Sequence, residues 1–161
     1  MAEDARFEDV PLTDQPLRLK AEGDEDLQVI SSLLQDAVGK TGEIAYARGR
    51  RRLALMLNRF RWEDREAAER QKRGFERVQT LLTVEDVIAV RARALAPDDG
   101  ETVYSVLSVG FLAEEDGTGM VQITLAGDGE LVAEVECLSV TLEDVSRPWL
   151  AASGKAPEHK D

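Results

Sequence analysis

Leu17-Arg18-Leu19-Lys20-Ala21 alternates apolar and polar residues like a short strand, and its basic outward side suits a sheet edge. Gly23-Asp24 ends it. Asp24 is placed to cap a helix, and Glu25 and Asp26 suit the positive end of its dipole. Leu27, Ile30, Leu34 and Val38 then recur on one stripe, widened by Leu33 and Ala37, before Gly39 as the natural stop. Ile44 and Tyr46 alternate into a turn at Arg48-Gly49. Leu53, Leu55 and Leu57, with Ala54 and Met56 between them, make both faces apolar, the pattern of a central strand that continues through Asn58 to Trp62.

The run from Glu63 to Arg73 is polar on every side and has no stripe to bury. Strand character returns at Val78, Thr80, Leu82 and Val84, breaks at Glu85-Asp86, and resumes from Val87 to Val90. Pro97-Asp98-Asp99-Gly100 is turn chemistry. After it, Val103, Leu107, Val109 and Phe111 are expected on one side of a strand, with Tyr104, Val106 and Leu112 on the other. Gly127-Asp128-Gly129 joins the strands of Val121 to Leu125 and Leu131 to Cys137 as a hairpin.

This order predicts an α+β fold: one long N-terminal helix packed on a curved, mostly antiparallel sheet of about six to seven strands, with a split barrel as the alternative closure. The expected organisation is a mobile tail over 1–16, a single domain over 17–150 with 63–74 as an exposed polar insertion, and a mobile tail over 151–161.

Composition narrows the function classes. The 161 residues are 43% hydrophobic and carry a net charge of −12, which disfavours nucleic acid and anionic membrane surfaces. The charge is divided, however. Between Arg48 and Arg77 stand eleven Lys/Arg against five Asp/Glu, so a basic segment is set in an acidic body. No apolar run approaches a membrane span, and Ala2-Glu3-Asp4 lacks the positive charge of a signal peptide, so the expected location is the cytoplasm.

Candidate chemistry is sparse. His159, the sole histidine, lies in the expected tail, which removes the usual triads and zinc sites. Neither GxxxxGK[ST] nor GxGxxG occurs, and no cofactor, metal site or catalytic residue is expected. Cys137, between Val135 and Leu138, is expected to face the core as a small hydrophobe. Two groups remain. Arg48, Arg50, Arg51 and Arg52 crowd one turn as a candidate basic patch for phosphate or an acidic surface. Gln35, Asp36, Lys40, Asn58, Arg59 and Trp62 form a candidate polar cluster where the helix end would meet the end of the central strand, with Asp36 the expected partner of Arg59.

Leu34-Gln35-Asp36-Ala37-Val38, Gly42-Glu43-Ile44, Asn58-Arg59-Phe60-Arg61-Trp62-Glu63, Val87-Ile88-Ala89-Val90 and Val135-Glu136-Cys137-Leu138 resemble a small, uncharacterised bacterial family catalogued as domain of unknown function 2948. The resemblance spans about Leu17 to Trp149, and its most specific element is Asn-Arg-Phe-x-Trp after a leucine-rich strand. It implies a cytoplasmic bacterial protein and supplies no functional residues to carry over.

The leading expectation is a non-catalytic protein-interaction or assembly domain, its partner another protein or a second copy. The alternatives are a small-ligand or phosphate-binding domain, or an enzyme, using Asp36 and Arg59, and nucleic-acid binding through Arg48 to Arg77.

Overall fold

The computed structural model describes residues 16–95 and 100–151. The expected tails, apart from Pro16 and Ala151, lie outside those residues, as do His159 and the turn residues Pro97, Asp98 and Asp99. Strand β1 (Arg18–Ala21) leads to helix α1 (Asp24–Leu34), which buries Leu27, Ile30 and Leu34. That stripe contributes roughly 1.5–3 kcal/mol per side chain. Gly23 rather than Asp24 stands at the cap position, and no side chain caps the helix. Asp24, Glu25 and Asp26 act instead through the dipole of the first turn.

The helix stops about one turn earlier than its stripe suggests. Asp36 takes a φ of 67°, a left-handed conformation that a short polar side chain tolerates. Val38–Lys40 then becomes β2, which pairs with β4 (Arg52–Phe60) on one edge and β7 (Val103–Ala113) on the other. Pairing on both edges satisfies backbone groups that another turn of helix would have satisfied internally.

The remaining strands are β3 (Ile44–Ala47), β5 (Glu76–Val84), β6 (Val87–Arg93), β8 (Gly119–Leu125), β9 (Glu130–Val135), β10 (Val140–Asp144) and β11 (Trp149–Leu150). Every ladder among them is antiparallel. The spatial order is β1-β10-β5-β4-β2-β7-β8-β9-β6, with β3 on β4 and β11 on β5.

The expected architecture is therefore overturned. Among the described residues there are eleven strands rather than six or seven, the α-helices are only the 11 residues of α1 and the six of α2 (Arg65–Arg70), and the sheet order does not close into a barrel. The fold is mostly antiparallel β. The strands that the pattern leaves out include β2 of three residues and β11 of two. Pieces that short carry no readable period and exist because neighbouring strands pair with them.

Register explains a second difference. The β7–β8 ladder shifts between Val106 and Ser108, so Val109 turns inward with Tyr104 and Val106, while Val103, Leu107 and Leu112 are exposed. The expected two-sided division of β7 fails at that bulge. The polar run 63–74 is mostly exposed, but Asp64 and Ala68 are buried, and Ala151 donates its N–H to the Phe75 carbonyl. One hydrophobic core joins α1, the inward leucines of β4 and the inward faces of β5 to β10. Among the described residues no helix is long and apolar enough to cross a membrane.

Candidate functional site

Alternation along β4 places Leu53, Leu55 and Leu57 on the core face, and Arg59 continues that face as a fully buried charge. Its five N–H donors are all used. Nε and Nη2 donate to the two oxygens of Asp144 at 3.1 and 2.9 Å, Nη1 and Nη2 to Glu63 at 2.8 and 2.7 Å, and Nη1 also to the Phe60 carbonyl at 3.3 Å. The expected partner, Asp36, is not among these acceptors. Burial alone would lower the Arg59 pKa, but the hydrogen bonds and charges of Glu63 and Asp144 outweigh it and hold the pKa above its ordinary value. Burial pushes Glu63 up, and Arg59 more than reverses that push.

A second set of pairs adjoins the first. Arg73 grips Asp64 with both Nη atoms at 2.7 Å, and Arg61 Nη1 donates to Glu76 at 2.8 Å. Arg73 holds the Asp64 carboxyl below its usual range. The sequence offers Arg73 only within the basic stretch from Arg48 to Arg77, and Arg61 and Glu63 only within the motif that follows the leucine strand, and it gives Asp64, Glu76 and Asp144 no role. The spacings Arg59 to Glu63 and Arg61 to Asp64, i+4 and i+3, were a usable local signal. Asp144, 85 residues from Arg59, left none.

The six residues of the candidate cluster divide into groups, with Gln35 and Trp62 together and Lys40 and Asn58 lining one depression. Trp62 Nε1 donates to the Gln35 carbonyl at 3.1 Å, which ties the end of β4 to the end of α1. The Asp36 backbone N–H donates to Val106. Lys40 and Asn58 belong to the opposite, outward face of the sheet, since Asn58 alternates with Arg59, and Lys40 Nζ lies 3.2 Å from Glu101.

On that outward face the registers align Val103 with Lys40, Val38 with Ser105 and Asn58, Asn58 with Gln79, and Met56 with Leu81. A shallow depression of about 160 Å³ runs between Lys40, Glu43, Met56, Asn58, Gln79 and Val103. Val103 is 62% exposed. The centre of the face is uncharged, with half-buried Val38, Met56 and Leu81 among amides and hydroxyls.

The basic patch is partly neutralised. Arg51 Nη2 lies 2.8 Å from Glu136 in an ion pair too bent for a hydrogen bond, Arg52 Nε lies 2.9 Å from Glu85, and the Arg48 guanidinium stands 6.0 Å from the Tyr46 ring centre. Arg50 is exposed. Cys137 is exposed as well, contrary to expectation, because β9 ends at Val135 and the chain bends before the alternation reaches it. Its thiol donates to Asp86 at 3.1 Å, and that carboxylate raises the thiol pKa. Among the described residues no group of three or more His, Cys, Asp or Glu could hold a metal ion.

The model of a family described as "Protein of unknown function (DUF2948)" matches residues 17–159. No curated protein and no solved structure matches the chain. The chain belongs to this family.

Proposed function

We propose that this member of the DUF2948 family is a non-catalytic binding domain that seats a protein partner on the outward face of β2, β4, β5 and β7. The observation that carries the reading is the uncharged, half-buried centre of that face, with Met56, Leu81, Val38 and exposed Val103 rimmed by Lys40, Arg52 and Glu143. Protein interfaces have this composition, depleted of charge at the centre and polar at the rim. Asn58 and Gln79 add paired amides that can hydrogen-bond across an interface. Arg59 does not favour the enzyme reading, since a guanidinium with all five donors engaged offers a substrate nothing. The pairing of Arg51 and Arg52 with carboxylates weakens the basic patch as a polyanion site.

A photo-crosslinking amino acid at Val103 tests the reading, with the same group at exposed Glu25 of α1 as control. The expected result is a defined crosslinked protein from position 103 and none from position 25. That product should vanish in the Met56→Asp variant while the melting temperature stays within about 4 °C, a shift of roughly 1 kcal/mol or less. Equal products from both positions, none from either, or capture that survives Met56→Asp in a folded protein would overturn it.

A further inference from the structure

Arg61 is 3% exposed, and its guanidinium is only partly used. Nη1 donates to Glu76, and Asp64 stands 3.8 Å from the same nitrogen. The Nε and Nη2 atoms take no acceptor among the described residues. These two N–H groups point along one edge of the guanidinium, the same edge with which Arg59 holds both oxygens of Asp144. Arg61 also lines a pocket of about 440 Å³, together with Pro16, Val78, Asp144, Ser146, Arg147 and Pro148. The volume is that of small-molecule sites.

We propose that this pocket binds a small organic anion, its carboxylate or phosphate head held by the Nε–Nη2 edge of Arg61 and its apolar body against Val78, Pro16 and Pro148. Neither nitrogen is among the buried atoms left without a partner, so both reach solvent, and a two-oxygen head fits that edge in both number and spacing. Arg147 supplies a second cation in the wall. The other charged wall is Asp144, whose oxygens are occupied by Arg59 and by the Leu17 N–H at 3.1 Å. Ser146 Oγ donates to the Arg147 carbonyl and accepts from the Gln79 N–H, so it is a wall and not a donor to the ligand. With Glu76 and Asp64 on the far side of Arg61, directed hydrogen bonds rather than net positive charge carry the binding.

The test follows the Nε–H resonance of Arg61 in the full chain by NMR during titration with inorganic phosphate, with acetate, and with sodium chloride at matched ionic strength. The expected result is a saturable shift with an oxyanion at a dissociation constant of about 1–10 mM, as suits a fragment of four or five heavy atoms. Chloride should give no saturable shift. Response to acetate alone assigns a carboxylate ligand, to phosphate alone a phosphoryl ligand, and to both the shared oxyanion chemistry. The exposed Arg147→Gln should weaken binding at least threefold without changing the melting temperature. No saturable shift by either oxyanion, an equal response to chloride, or an undiminished affinity in Arg147→Gln would overturn the proposal.

Discussion

Arg59 is a charge placed where the sheet is otherwise leucine, and it is held there by two carboxylates, Glu63 and Asp144. Removing one partner of a buried pair strands the other, so Arg59→Ala should cost about 3–5 kcal/mol, read by urea denaturation. Replacing both Arg59 and Asp144 with apolar residues of matched size should restore much of that loss, because two desolvation costs disappear together. A double-mutant cycle should return a clear coupling between Arg59 and Asp144, but one within about 0.5 kcal/mol of zero between Arg59 and Asp36. A large coupling to Asp36 would contradict the assigned pairing. Cys137 gives a second residue-scale outcome. Its exposed thiol stays protonated because Asp86 accepts its hydrogen bond, so alkylation at neutral pH should be slower than for cysteine in a peptide, and Asp86→Asn should speed it. That an Asn-Arg pair ending a leucine strand needs a partner was legible in the sequence. Which partner was not, since Asp144 reaches Arg59 only through the β4–β5–β10 ladder.

Where β2 crosses β7, the backbone of Gly39 approaches the Tyr104 ring so closely that an added Cβ would lie 2.7 Å from Oη and 3.0 Å from a Leu57 methyl. Gly39→Ala should therefore cost about 1–3 kcal/mol through overpacking. Tyr104 Oη is buried and has no hydrogen-bond partner in the described structure, so Tyr104→Phe should hold or raise the melting temperature, the reverse of most core changes. A clear loss on Tyr104→Phe would mean that the hydroxyl has a partner after all. Elements with their own period were readable: the α1 stripe, the leucines of β4, and the hairpin whose Gly127 and Asp128 take left-handed φ values of 81° and 66°. The β7 bulge and the three residues of β2 were not, because a register shift or a strand made by its neighbours has no local period. The outward face was hidden for the same reason. Val38, Met56, Leu81 and Val103 come together only through four strands in register.

At the scale of the whole molecule, net charge and local pairing pull stability in opposite directions as the solution is acidified. The chain carries −12 near pH 7 with a sequence pI of about 4.6, so acidification first relieves self-repulsion and favours the folded state. The paired carboxylates act the other way. Glu63 and Asp64 have folded pKa values below their ordinary 4.5 and 3.8, so their contribution is fully present above those values and is lost as pH falls through the depressed ones. Tyr104 has the opposite sign. Burial raises its folded pKa above the ordinary 10.0, so its contribution is complete below pH 10 and fades as pH rises further. The melting temperature should thus hold or rise slightly from pH 7 to about pH 5, where repulsion fades, then fall steeply below about pH 4.5, where the pairs break. A combined Glu63→Gln, Asp64→Asn variant should start lower at pH 7 and show a shallower acid limb, whereas Tyr104→Phe should flatten only the alkaline limb. Differential scanning calorimetry across this range reads both limbs. An acid limb as steep in the double variant as in the parent would place the acid sensitivity in other carboxylates.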